Sequence, residues 1–212
     1  MEWRLLKGLP EQDTRRLLAG ARRRRFGKGE VLFHEGDPAA SLHLVAKGRV
    51  AVRIGTPMGD VVTVELVGPG DLLGELALLS AGTTRAATAI AMEATETLSL
   101  DRETFRTLRR TDPGVTDVLV ELLAERLRRL DARLMEALYV PADTRIVRRL
   151  LDLAGIYGDT IPLKQDDVAG LAGTTRATVN RVLRREERSG TVALGRGRVT
   201  LLDRPALARR AR

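Results

Sequence analysis

The sequence predicts an α+β chain in three parts: an N-terminal β-roll of the jelly-roll kind, one long helix, and a C-terminal helical segment closed by a β-hairpin. Three observations carry this prediction. Short β-rich runs between turn signals fill about residues 26–100, a strict 3-4-3-4-3 apolar spacing follows, and beyond 141 helical stretches lead into a strand–glycine–strand pattern. The expected boundaries are 1–112, 113–140 and 141–212.

In chain order, residues 4–19 read as a short helix with Leu5, Leu9, Leu17 and Leu18 as its apolar contacts. Six β-rich runs come next: Val31–Phe33, Leu42–Val45, Val50–Ile54, Val61–Leu66, Ala86–Ala91 and Glu96–Leu100. Their separators are turn formers: Gly27-Lys28-Gly29, Glu35-Gly36-Asp37-Pro38, Lys47-Gly48, Pro57-Met58-Gly59-Asp60 and Gly68-Pro69-Gly70-Asp71. Nothing is low-complexity, and the spacing matches no solenoid repeat.

After Asp101 the chain turns helical. Residues 101–110 form one helix, which Asp112-Pro113-Gly114 breaks, and a long helix runs from about Val115 to Val140. Within it Val120, Leu123, Leu127, Leu130, Leu134 and Ala137 form a heptad seam that predicts pairing with a second copy, against the plainer reading of an intramolecular core helix. Leu119, Leu122 and Leu138 widen the apolar surface, so a second face can pack on the β-roll. Pro141 ends this helix, and Asp143 is placed to cap the next, over about 144–155.

Residues 164–186 have the pattern of two helices meeting at a tight turn. Val168 and Leu171 point inward from Gln165–Leu171, and Ala169 is the small residue a close crossing needs. Gly173 turns, and Thr174 or Thr175 caps a second helix held by Val179, Val182 and Leu183. Thr175, Arg176, Thr178, Asn180 and Arg181 then face outward, as side chains that read base edges or touch phosphates must. The competing reading is an ordinary helical hairpin with solvated arginines. Thr191–Leu194, Gly195-Arg196-Gly197 and Arg198–Leu202 read as a wing whose Arg196 and Arg198 touch phosphates, and Arg209-Arg210-Ala211-Arg212 as a frayed basic end.

Composition narrows the function. The chain has 212 residues, 43% of them apolar and 30% charged, enough for two cores and a polar surface. It has no cysteine, which removes disulfides, thiolate iron–sulfur clusters and cysteine zinc or haem sites. The apolar runs are too short for a membrane span, and Met1-Glu2-Trp3-Arg4 lacks the apolar stretch of a secretory signal, so a cytoplasmic location is expected. His34 and His43 are read as surface strand residues. No Ser-His-Asp set, metal-ligand cluster or P-loop is present, so neither an enzyme nor a metal site is expected. The net charge of +8 is uneven: residues 141–212 hold 15 Lys/Arg and 8 Asp/Glu, a net of +7, and the other 140 residues hold +1. A basic segment beside a balanced one is the footprint of a phosphate-backbone binder. A general arginine habit of the chain would give it too.

The most informative stretch runs from Gly74 to Thr88. Gly68, Gly70 and Gly74 permit close backbone approach, and the turn Leu76–Leu79 can start a helix whose amides face an anion. Arg85, flanked by small residues, can pair with a phosphate, while Glu75 can accept a sugar hydroxyl. The alternative is a Glu75–Arg85 ion pair bracing a loop. Gly74-Glu75-Leu76-Ala77-Leu78 with Arg85-Ala86-Ala87-Thr88 resembles the phosphate-binding cassette of cyclic-nucleotide-binding domains. Leu32-Phe33, Glu35-Gly36-Asp37 and Gly48-Arg49-Val50 resemble the strands of the same domains. Val168-Ala169, Leu171-Ala172-Gly173, Arg176 and Thr178–Leu183 resemble the helix-turn-helix of the CRP/FNR regulators.

This resemblance implies specific roles. Gly74, Leu76 and Ala86 would offer backbone amides, Glu75 would hold a ribose 2′-hydroxyl, and Arg85 the cyclic phosphate. The family's base-contacting Thr-Ser pair falls on Leu130 and Asp131, a departure that leaves the base open, and Arg126 is either a purine contact or a plain exposed arginine. Arg176 and Arg181 would read bases, and Ala177 stands where many members carry a glutamate that reads cytosine. The chain is accordingly identified as a member of the CRP/FNR family. The expectation is a homodimer binding double-stranded DNA, controlled by cyclic AMP through the seam near Leu127–Asp131 and working with RNA polymerase. The rivals are the same fold acting without a nucleotide, and a nucleotide-binding regulatory subunit acting on a protein partner.

Overall fold

A computed structural model describes residues 6, 10–56, 59, 61–79 and 84–211, leaving aside the side chains at 13, 16, 17 and 77. The expectations for Leu5, Leu9, the Leu17 side chain, Pro57-Met58, Asp60, Ser80–Thr83 and Arg212 lie outside the described residues. The chain divides into two compact units, Met1–Leu127 and Arg128–Arg212.

The first unit opens with helix α1 (Glu11–Gly20) and then carries eight strands: β1 (Arg22–Phe26), β2 (Val31–Phe33), β3 (Ser41–Lys47), β4 (Val50–Gly55), β5 (Val61–Val67), β6 (Leu72–Leu73), β7 (Thr88–Ala91) and β8 (Thr95–Asp101). They form two antiparallel four-stranded sheets, ordered β1-β8-β3-β6 and β2-β7-β4-β5. Alternation sends Val45, Val50, Val52, Val67, Leu73 and Ala89 into one apolar cluster. A second cluster covers Leu42, Leu44 and Leu100 with Leu78 of the one-turn helix α2 (Leu76–Leu79), Phe105 and Leu108 of α3 (Arg102–Thr111), and Val115 and Leu119 of α4 (Pro113–Tyr139).

Two strands of the first unit escaped the sequence reading. β1 is a run of four exposed arginines with only Phe26 buried, so no alternation marks it; pairing with β8 and the Arg23 and Arg25 bonds to Glu96, 3.0 Å each, make it a strand. β6 is two residues long. The long helix starts at Pro113 rather than Val115, because a proline suits the first helical position and Asp112 accepts from the Gly114 N–H at 2.9 Å.

The second unit holds the end of α4, then α5 (Ala142–Tyr157), β9 (Thr160–Ile161), α6 (Gln165–Ala172), α7 (Arg176–Arg188), the hairpin β10 (Val192–Gly195) and β11 (Arg198–Leu201), and α8 (Arg204–Arg210). β9 adds a third strand to the hairpin, in the order β10-β11-β9. Val168 and Ala169 of α6 and Val179, Val182 and Leu183 of α7 are buried as expected. Asp143 does not cap α5; Pro141 holds that position without a side-chain bond, and Asp143 lies in the first turn. Arg209 and Arg210 of the basic end are helical rather than frayed. Asp203 caps α8, Leu207 is fully buried, and Arg210 pairs with the buried Glu186 of α7.

Candidate functional site

In the first unit Gly74, Glu75, Leu76, Arg85 and Ala86 line one cavity, together with Phe33, Val52, Val67, Leu72, Leu73, Ala87 and Arg126. Gly74 sits at φ +84, and a Cβ there would collide with the Arg85 guanidinium, so only glycine fits. Arg85 is 5% exposed. Its Nη1 donates to the Gly74 carbonyl at 3.2 Å and its Nη2 to the Ser41 hydroxyl at 3.4 Å, while the guanidinium carbon stands 4.1 Å from the centre of the Phe33 ring. Among the described residues no carboxylate pairs with Arg85 within 4 Å, and its Nε–H has no partner. Burial lowers its proton affinity, opposed by the fields of Asp37 and Glu75.

The braced-loop alternative therefore fails. Glu75, 4% exposed, pairs instead with Arg126 of α4 at 2.7 Å, and Arg126 also reaches Glu65 at 2.8 Å. The second Glu75 oxygen, Oε2, is buried without a partner, and burial pushes this carboxyl up from its ordinary range, against the pull of Arg126. A buried cation without a counter-ion and a buried acceptor without a donor share one hollow. The pair offers donors to an anion and an acceptor to a hydroxyl. Arg126 is neither plainly exposed nor free, and nothing in the sequence linked it to Glu75, since 51 residues separate the two. His43 is a further correction: it is 5% exposed, whereas His34 is exposed as expected.

Along α4, Val120, Leu127, Leu130 and Leu134 are each more than half exposed, and Ala137 and Asp131 are exposed too; Leu123 is partly covered. The seam thus presents an apolar stripe that the single chain does not bury.

In the second unit the Thr175 side chain caps α7 by accepting from the Thr178 N–H at 3.3 Å, and the two hydroxyls lie 3.0 Å apart. Both threonines serve the cap before any ligand. Arg176 and Asn180 line a cleft with Lys164, Asp166, Arg196 and Arg198, which brings the start of α7 and the wing to one basic surface. Asn180 donates to Gln165 at 3.1 Å, and Arg176 lies 3.5 Å from Asp166. Arg181 turns away from that cleft and grips Asp143 with both Nη groups, at 2.5 and 3.2 Å; Arg185 joins at 2.7 Å. The Arg181 bonds hold the Asp143 carboxyl below its usual range. Arg145, unremarked in the sequence, donates to the carbonyls of Val140, Ala172 and Gly173 at 2.6, 2.9 and 2.9 Å, tying the α6–α7 turn to the end of α4.

Among the described residues no helix is long and apolar enough to cross a membrane, and no cluster of metal-ligating side chains occurs. Fold and sites together define a ligand-binding β-roll in one chain with a winged helix-turn-helix. Sequence comparison agrees. The profile for the cyclic nucleotide-binding domain matches residues 23–112, and that for the Crp-like helix-turn-helix domain matches 144–210. The cyclic AMP receptor protein of Thermus thermophilus is 38% identical over 201 residues, 94% of this chain and 92% of that protein. A CRP-like cAMP-activated global transcriptional regulator of Mycobacterium tuberculosis is 31% identical over 195 residues, 88% and 87% of the two chains. The crystal structure of the Thermus thermophilus catabolite activator protein superposes with a TM-score of 0.58 at 36% identity, covering 98% of each chain. The chain belongs to the CRP/FNR family of transcription regulators.

Proposed function

We propose that the protein is a homodimeric, sequence-specific DNA-binding regulator whose affinity for its operator is set by cyclic AMP in the β-roll. The observation that carries the nucleotide half is the buried Arg85, without an ion-pair partner among the described residues, facing the same cavity as the orphan Glu75 oxygen. Arg85 would hold the cyclic phosphate, Glu75 the ribose 2′-hydroxyl, and the backbone of Gly74, Leu76 and Ala86 would line the rest. The names of the two relatives, a cyclic AMP receptor and a cAMP-activated regulator, support the choice of nucleotide. Leu130 and Asp131 are the positions proposed to meet the base, with less hydrogen-bonding capacity than a Thr-Ser pair.

The exposed seam from Val120 to Ala137 supports a parallel pairing of two α4 helices, with recognition helices about 34 Å apart. Thr175, Arg176, Thr178, Asn180 and Arg181 would meet the major groove, and Arg196 and Arg198 the phosphates beside it. Ala177 presents only a methyl group, so the operator need not carry a cytosine at the position it faces. Nucleotide would act by shifting the packing near Leu127–Asp131, and with it both recognition helices. RNA polymerase is the proposed onward partner, in the cytoplasm.

Calorimetry with cyclic AMP and cyclic GMP tests the nucleotide half. Arg85→Ala should weaken cyclic AMP binding at least tenfold, since a charge-assisted contact of about 1.5–3 kcal/mol is removed. Selection of bound sites from random duplexes, with and without cyclic AMP, tests the rest. Enrichment that is the same in both arms favours the nucleotide-independent reading, to which the missing hydroxyls at 130 and 131 also lend weight.

A further inference from the structure

His43 lies on β3 and forms one wall of the packing behind Arg85. Its Nδ1 is 3.1 Å from the Thr97 hydroxyl and its Nε2 3.5 Å from the Ser41 hydroxyl. The ring packs 5.9 Å from Phe33, centre to centre, and edge-on to Phe26 at 6.3 Å. Ser41 and Phe33 are also the two side chains that hold the guanidinium of Arg85, one by accepting from Nη2 and the other by lying beneath it. Both side chains thus connect His43 to the same cation.

A guanidinium only donates, so the Ser41 oxygen accepts from Arg85 and keeps its own hydrogen to give. Given to His43 Nε2, that hydrogen requires a bare nitrogen and puts the ring proton on Nδ1, aimed at Thr97. Only a neutral imidazole can play both parts. We propose that His43 is a positioning residue for Arg85, orienting the guanidinium towards the cavity through Ser41 and Phe33. Burial, then the fields of Arg85 and of Arg24 on β1, push the His43 ring down to about 4, so the required neutral form is the one present at physiological pH. A second full charge so near would repel Arg85; a neutral ring steers it without competing for the anion. The inference rests on the reading of Arg85 as the phosphate partner.

Calorimetry of the whole protein with cyclic AMP tests it, beside thermal unfolding of the ligand-free protein. His43→Leu and Ser41→Ala are each expected to weaken binding about fivefold, the size of one ordinary hydrogen bond. The double variant should weaken it no further than either single change, because both break one chain of bonds. His43→Gln, which restores an acceptor near the Nε2 position, should recover most of the loss. A His43→Leu protein that binds as the parent does, or losses that multiply in the double variant, overturns the proposal. Arg85→Ala is the separate arm: normal binding there means that the phosphate reading of the cavity has failed, not the relay behind it. Nitrogen-15 NMR of the unaltered protein decides independently of any variant's stability. The relay predicts a bare Nε2 and a protonated Nδ1, and the opposite tautomer overturns it.

Discussion

Asp143 neutralises two arginines of the recognition helix, Arg181 and Arg185, at 2.5 and 2.7 Å. If Arg181 reads a guanine edge or a phosphate, as proposed, it must leave that fork, and the carboxylate then competes with DNA for it. Asp143→Asn should tighten duplex binding, by about threefold per half-site for a partly exposed pair. Weaker binding by anisotropy would mean that Asp143 instead holds Arg181 in its reading pose. His43 gives a second residue-scale prediction, and its sign is fixed. The ring takes its proton near 4 when folded and near 6.5 when unfolded, so between these values the unfolded chain binds more protons. Stability should fall as pH drops from 6.5 towards 4, and His43→Gln should flatten that part of the curve in urea titrations. Residues of this kind were only half legible. The Gly74–Arg85 string was readable because its chemistry is contiguous, and Gly74 is required by a backbone angle as well as a close contact. The Arg126–Glu75 and Arg181–Asp143 pairs were not, because a sequence does not say which distant side chains will meet.

At the scale of elements, periodicity told most where one face meets one environment. The strands β2 to β5, β7 and β8 were legible because glycine-rich turns bracket alternating runs. β1 was not, because four arginines hide a strand held by its backbone pairing with β8 and by the Arg23 and Arg25 bonds to Glu96. The α8 helix was missed for the same reason: one buried residue, Leu207, and an ion pair to Glu186 anchor a segment that reads as a charged tail. The apolar stripe of α4 was legible because its 3-4 spacing keeps these residues on one face of a helix. Its exposed leucines contribute little to the fold of one chain, so Leu127→Glu with Leu134→Glu should leave the thermal midpoint of the β-roll nearly unchanged. The same pair of changes should convert a dimer to a monomer in sedimentation and weaken operator binding about a hundredfold, the loss of effective concentration when two half-site readers separate. A double variant that stays dimeric would remove the seam as the interface.

For the whole molecule the question is whether the two halves are energetically linked, and thermodynamics makes that question answerable without knowing the path. The charge partition, +7 in residues 141–212 against +1 elsewhere, fits the proposed division into a duplex-binding part and a nucleotide-binding part. Arg126 lies in α4, the helix that carries the seam, and its bond to Glu75 gives the cavity a direct hold on that helix. If cyclic AMP raises operator affinity by some factor, the operator must raise cyclic AMP affinity by the same factor, because both describe one coupling free energy. A coupling of about 1–3 kcal/mol predicts a change of roughly 5- to 150-fold in each direction. Arg126→Leu leaves the unpaired Glu75 Oε2 in the cavity while cutting the tie of Oε1 to the helix. It should therefore shrink the coupling factor, measured in both directions on one preparation. A coupling factor that survives the change intact would show that the signal leaves the cavity by another route, and unequal factors in the two directions would show that the two ligands do not report one equilibrium.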